Sequence, residues 1–276
     1  MGALQIINGI YEGSAGRKSL YDLEVPSDWN KDVVIFVHGF MGFKDWGAWH
    51  LVQDFFNKHG FAFCKFNLSH NGGTTNQVED FPDLEAFGKN TYSHEIKDVE
   101  CLLKEIKPYF KEQVSTHLIG HSRGGGTALL AAEQSKVSSI CLWASISSIS
   151  DRFPDDAALK NWKETGVRFV SNTRTKQKLP QYYSLYEDFY ENQDKLNIQN
   201  KATSCKIPTA VFHGDADQSV DINEGEALAG WLQTNLKVIK GADHVFGAQH
   251  PWGHNEIPDL LMELCELSLK FILKMK

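Results

Sequence analysis

Thr116-His117-Leu118-Ile119, a short strand-like run, passes without a linker into Gly120-His121-Ser122-Arg123-Gly124, and an alanine-rich helical stretch follows at once. A strand that turns into a helix through one residue needs small neighbours on both sides of the turn. Gly120 and Gly124 supply that room, and Gly125 and Gly126 let the helix pack closely. Ser122 is left at the tip in a strained backbone conformation. The helix start points its free N–H groups and the positive end of its dipole at whatever forms beside Ser122.

The rest of the chain alternates in the same manner. Residues 4–10 and 19–25 read as extended segments around a Gly-rich turn at 13–16, closed by Pro26-Ser27-Asp28. They form an N-terminal antiparallel hairpin. Val33-Val34-Ile35-Phe36-Val37 lacks polar alternation, as expected of a strand covered on both faces. A helical stretch at 49–59 ends at Gly60. Another at 93–110 carries Ile96, Val99, Leu103, Ile106 and Phe110 at helical spacing. Further strands are expected at 61–66, 116–119, 137–144, 209–212 and 236–239, with a closing amphipathic helix marked by Leu260, Leu264, Leu267 and Phe271. This order predicts an α/β fold, with a mostly parallel central sheet and helices on both faces, as one domain over 1–276. Only 150–204 breaks the rhythm. It is polar and aromatic, with Trp162, Tyr182, Tyr183, Tyr186, Phe189 and Tyr190, and is expected to be a short cap-like insertion over the strand ends.

Composition narrows the function. Lys and Arg total 28 against 35 Asp and Glu, a net charge of -7. That balance opposes a nucleic-acid partner, whose binding rests on neutralising phosphates. No basic amphipathic stretch and no bilayer-length apolar run is present, so no membrane partner is expected. Met1 to Ile6 lacks the pattern of a signal peptide, and Ile6 stands where a myristoylation signal after Gly2 would place Ser or Thr. The five cysteines are scattered, odd in number and without a CxxC pair, which fits reduced thiols and a cytoplasmic location. His250 and His254 have the i, i+4 spacing of metal ligands, but Pro251 and Gly253 oppose the helix such a pair needs. No metal and no cofactor is expected.

Four motifs carry the chemistry: His38-Gly39-Phe40, Gly120-His121-Ser122-Arg123-Gly124, His213-Gly214-Asp215-Ala216-Asp217 and Gly241-Ala242-Asp243-His244. Each follows a predicted strand. With these motifs the chain resembles the α/β-hydrolase superfamily over nearly its whole length. Within it, the likeness is to bacterial carboxylesterases, cinnamoyl or feruloyl esterases, dienelactone-hydrolase-like proteins and prolyl-oligopeptidase-type catalytic domains. Dienelactone hydrolases use a cysteine where this chain has Ser122, and there is no room here for a propeller domain.

The resemblance implies that Ser122 is the nucleophile of a two-step acyl transfer, that His244 is its base, and that an aspartate holds His244. Asp217 lies three residues before Val220, the spacing usual for that loop, and is preferred over Asp215, which reads as a turn former bonding its own backbone. The backbone amides of Phe40 and Arg123 are the implied oxyanion donors, with His38 holding their loop by a side-chain hydrogen bond. The implied partner is a small-molecule carboxylic ester with a small or medium acyl group. No oligomeric state follows.

Several readings stay open at this level. The aromatics at 182–190 either line an acyl pocket or pack as core. Arg152 either meets a substrate carboxylate or forms a surface salt bridge. Asn67, His70 and Asn71 either border the site or bond their own turn. An aminopeptidase or amidase would use the same residues, and lyase or haloperoxidase-like chemistry is possible on the same triad. A non-catalytic binding module is the alternative of another class, although such proteins usually lack one of the three residues.

Overall fold

The computed structural model describes residues 3–275; Met1 and Gly2, at the N-terminal start, and Lys276 lie outside the described residues. Its frame is an eight-stranded sheet of β1 (Leu4–Glu12), β2 (Lys18–Pro26), β3 (Asp32–Val37), β4 (Ala62–Phe66), β5 (Ser115–His121), β6 (Ser139–Trp143), β9 (Thr209–Gly214) and β10 (Leu236–Ile239). Their order across the sheet is β1-β2-β4-β3-β5-β6-β9-β10. The expected hairpin is present, with Leu4 opposite Pro26 and Glu12 opposite Lys18. β2 joins it to the sheet by antiparallel pairing with β4, and every pair from β4 onward is parallel.

Both faces of the sheet are covered, which explains the unbroken apolar run of β3. Val33, Ile35 and Val37 face one core, together with Leu102 of α3 (Tyr92–Ile106) and Leu129 and Ala132 of α4 (Arg123–Ser135). Val34 and Phe36 face the other, against Trp49 and Phe56 of α1 (Trp49–Lys58) and Leu261 and Leu264 of α10 (Asp259–Leu273). Successive side chains on a strand point to opposite faces, so a strand buried on both has no polar positions to show. Trp143 is fully buried, and its indole N–H donates to Ser268 Oγ of α10 at 2.9 Å.

Several elements have no counterpart in the sequence analysis. α2 (Leu84–Lys89) is a short helix capped by Asp83, whose carboxylate accepts from the Ala86 amide. α9 (Ile222–Trp231) follows β9, capped by Asp221. A second, two-stranded antiparallel sheet, β7 (Val167–Ser171) with β8 (Lys178–Tyr182), lies within 150–204. The same stretch holds α5 (Asp156–Thr165), α6 (Ser184–Glu191), α7 (Gln193–Leu196) and α8 (Ile198–Ser204). Its aromatics pack largely on one another. Phe153 contacts Trp162, Tyr186 and Phe189, and Tyr183 stacks on Tyr186.

Candidate active site

The β5-to-α4 junction is as tight as its glycines demand. A Cβ on Gly124 would lie 2.3 Å from the Val37 carbonyl oxygen, and one on Gly120 would lie 2.4 Å from the Gly124 carbonyl oxygen. Between them Ser122 has φ 57° and ψ −124°, a conformation that costs a non-glycine residue about 1–3 kcal/mol. Its N–H donates to Trp143 O at 2.8 Å, and its carbonyl accepts from Gly125 N at 2.9 Å. Ser122 occupies the N-cap of α4, yet its hydroxyl makes no capping bond. A serine at this position ordinarily spends its oxygen on the helix amides. Here Oγ lies 3.0 Å from His244 Nε2 instead.

The β9 loop and the loop after β10 complete the arrangement. His244 Nδ1 donates to Asp217 Oδ2 at 2.8 Å. Asp217 Oδ1 accepts from the Ser219 and Val220 amides at 2.8 and 3.0 Å. The spacing to Val220 therefore has a local cause: one residue is buried core, and its N–H fastens the carboxylate. Burial of Asp217 works against its ionisation, but hydrogen bonds from His213, His244 and Val220 prevail and hold it well below the usual carboxylate range. Asp215 does not reach His244. Nor does it bond its own turn, as expected from sequence; it accepts from the Gly241 amide and ties the β9 loop to the loop that carries His244.

Two histidines that lie within the motifs, but to which the sequence assigned no role, brace this centre. His121 Nε2 donates to the His244 carbonyl at 2.8 Å, and burial beside His244 depresses its basicity to about 3. His213 Nε2 donates to the Val220 carbonyl at 2.9 Å and lies 3.3 Å from Asp217. Their place inside the motifs was the only signal available, because their partners lie far away in sequence.

The loop after β3 lies directly over Ser122: a Cβ on Gly39 would sit 2.9 Å from Ser122 Cβ. Gly42 N donates to Gly39 O, so Phe40 and Met41 occupy the corner of a turn. Arg123 is the first residue of α4, where amides have no partner within the helix. His38 is buried and neutral, pushed down to about 4 by desolvation. It donates from Nδ1 to Gly39 O and accepts the Leu68 amide at Nε2, at 2.9 and 3.1 Å. Asn67 accepts the Lys44 amide at 2.7 Å, and Asn71 donates to Gly42 O at 3.3 Å while accepting from Gly73 N at 2.9 Å. His70 stacks on His94. These three brace the loop and its surroundings, and none lines the cavity at Ser122. His250 accepts the Gly47 amide at 2.9 Å, and His254 lies against Trp252.

That cavity has a volume of about 400 Å³. Phe40, Ser122, Arg123, Val220 and His244 form its floor and one side. The 150–204 stretch closes the other with Arg152, Phe153, Arg168, Val170, Gln181 and Leu185. The aromatics at 182–190 do not line it. Arg152 pairs with Glu224 of α9.

A family model described as alpha/beta hydrolase fold matches residues 32–180, more than half of the sequence, and the chain belongs to that family. Curated relatives include monoacylglycerol lipase ABHD6 of Rattus norvegicus, 23% identical over 258 residues, with 80% of this chain and 72% of that protein covered. The Homo sapiens protein of the same name is 24% identical over 260 residues, at the same 80% and 72% coverage. Two solved structures share the fold at 17% identity. A putative hydrolase from Agrobacterium vitis S4 has a TM-score of 0.73, covering 98% of this chain and 99% of that one. Est1E from Butyrivibrio proteoclasticus has a TM-score of 0.70, with 97% and 98% covered. The chain is an alpha/beta hydrolase whose relatives include esterases and lipases. Among the described residues, no helix is long and apolar enough to cross a membrane.

Proposed function

We propose that this protein is a serine carboxylesterase acting on esters with small or medium acyl groups. The observation that carries the reading is the unbroken chain of contacts from Ser122 Oγ to His244 Nε2, and from His244 Nδ1 to the buried Asp217. Ser122 attacks the ester carbonyl and His244 takes its proton. Asp217 fixes the tautomer that leaves Nε2 free to accept, and it stabilises the imidazolium that forms. The Phe40 and Arg123 amides hold the oxyanion, each worth about 3 kcal/mol in the transition state. His244 then protonates the leaving alcohol, and water hydrolyses the acyl-enzyme with His244 as general base.

The cavity of about 400 Å³ falls at the small end of ligand sites, which supports a small or medium acyl group. The 150–204 stretch acts as a cap within one hydrolase domain. The curated relatives reported above are named monoacylglycerol lipases and Est1E was solved with ferulic acid bound, both in keeping with ester substrates. Five free thiols accord with a cytoplasmic location. The test is turnover of p-nitrophenyl butyrate by purified wild type and Ser122→Ala. Turnover should fall by several orders of magnitude in the variant, with the fold intact. Wild-type turnover by the variant would overturn it.

A further inference from the structure

The chain has five arginines, Arg17, Arg123, Arg152, Arg168 and Arg174, and three of them line the cavity at Ser122: Arg123, Arg152 and Arg168. No carboxylate lines it. For a chain of net charge -7 this is a concentrated reversal of sign. The three cations also sit close together. Arg168 Nη2 donates to the Arg152 carbonyl at 3.1 Å. Arg123 lies over the Tyr92 ring, 3.8 Å from its centroid, and all three guanidiniums act electrostatically on the buried Tyr92 phenol, itself part of the cavity wall.

Their charges are only partly balanced. Glu95 pairs with Arg123 at 2.7 Å, and Glu224 pairs with Arg152. Arg168 has no carboxylate partner among the described residues. It is held by Gln181 Oε1 at 2.9 Å, by the Arg152 carbonyl and by the Trp162 ring, 4.2 Å from its centroid. Burial without a compensating anion lowers its basicity. Arg123 is 7% exposed, and its Nη2 has no hydrogen-bond partner; neither has the buried Nε of Arg152. Guanidinium donors buried without acceptors are costly unless a ligand supplies them. The strand carrying Arg168 adds an independent sign. On β7, Arg168 and Val170 face the cavity, while Phe169 between them is 60% exposed. A strand that turns its arginine inward and its phenylalanine to solvent inverts the ordinary pattern.

We propose that the substrate is an ester bearing a second, free carboxylate, which the cluster of Arg123, Arg152 and Arg168 binds beside the scissile bond. This rests on the esterase reading and specifies its substrate class. A planar guanidinium fork matches a carboxylate in two-point contact. Glu95 and Glu224 pair directly with two of the guanidiniums and Asp188 acts on Arg123 from further off, which leaves Arg168 as the one without a paired carboxylate; a single such fork suits a monoanion better than a phosphate dianion. A plain fatty ester would leave the buried donors unpaired.

The test compares two esters with their primary-amide counterparts, which match them in shape but are neutral. Mono-p-nitrophenyl adipate places the carboxylate in the acyl part, and the hexanoate ester of 4-hydroxyphenylacetate places it in the alcohol part. In wild type, at least one carboxylate ester exceeds its amide in kcat/KM by about tenfold or more, as expected for a charge-assisted bond. The preferred pair identifies which side of the ester carries the charge. In Arg168→Gln the ratio falls toward one, and in Arg168→Lys, which keeps the charge but not the fork, it lies between. Ratios within twofold for both pairs in wild type, or a ratio unmoved in Arg168→Gln, would overturn the proposal. Calorimetry on Ser122→Ala with the same compounds reads anion preference without turnover. Failure of the esterase reading alone, with no hydrolysis of any ester, is therefore distinguishable from failure of anion recognition.

Discussion

Replacing Asp217 by asparagine changes one atom and reverses the polarity of the link to His244. In the native arrangement Asp217 only accepts: Oδ1 takes two backbone amides, and Oδ2 takes the Nδ1 proton of His244. Asparagine keeps its oxygen on the Ser219 and Val220 amides, since two bonds hold it there, and so turns its NH2 toward Nδ1. His244 must then accept at Nδ1 and carry its proton on Nε2, the nitrogen 3.0 Å from Ser122 Oγ. A protonated Nε2 cannot receive the serine proton. The expected loss in kcat is about 10⁴, or about 5 kcal/mol of transition-state stabilisation. Asp215→Asn retains its acceptor for Gly241 N and should change turnover by no more than about twofold. Steady-state hydrolysis of p-nitrophenyl butyrate by both variants, with circular dichroism as the folding control, reads the contrast. A loss smaller than tenfold in Asp217→Asn, or a larger loss in Asp215→Asn, would refute the tautomer argument.

Three further outcomes are expected. Gly124→Ala should destabilise by about 1–3 kcal/mol or more, because its Cβ meets the rigid backbone of β3; an unchanged thermal midpoint would show that the junction can relax. Acidification should weaken the fold between pH 6.5 and about 4. His38, His70 and His121 stay neutral there by burial, with values near 4, 4 and 3, while the unfolded chain takes up their protons below about 6.5. Asp98, raised by burial to about 7, holds its proton where the unfolded chain has lost it, and offsets one imidazole. His94 and His250, also lowered by burial, act with the other imidazoles, so stability should fall as pH falls, by about 1.4 kcal/mol per pH unit for each net proton the unfolded chain takes up; a denaturant midpoint flat across this range would contradict it. Across acetate, butyrate, cinnamate and long-chain esters of one alcohol, kcat/KM should favour small or medium acyl groups; a steady rise toward long chains would exclude a cavity of this size as the acyl site.

The legible parts of the fold were those where one physical requirement shaped consecutive residues. Burial on both faces made β3 an unbroken apolar run, and close crossing made Gly120 and Gly124 obligatory. The Asp217-to-Val220 interval was readable because the Val220 amide must reach the carboxylate. α2 was too short for a helical period to show, and in α9 the interior Gly225 and Gly230 obscured one. β7 gave no strand signal because Arg168 points into the cavity and Phe169 out, against the rule by which inward positions are assigned. For Arg152 the sequence leaves a substrate contact and a salt bridge open, and the residue lines the cavity while paired with Glu224. Contacts such as His121 to the His244 carbonyl span 123 positions and leave no local trace.

The central claim is that Ser122 is the nucleophile, activated by His244. Treating the folded protein with a fluorophosphonate, then mapping the adduct by peptide mass spectrometry, tests it most directly. A single adduct is expected on Ser122, absent in Ser122→Ala, with sharply slower labelling in His244→Ala. An adduct on another serine, or no adduct on folded wild-type protein, would contradict it.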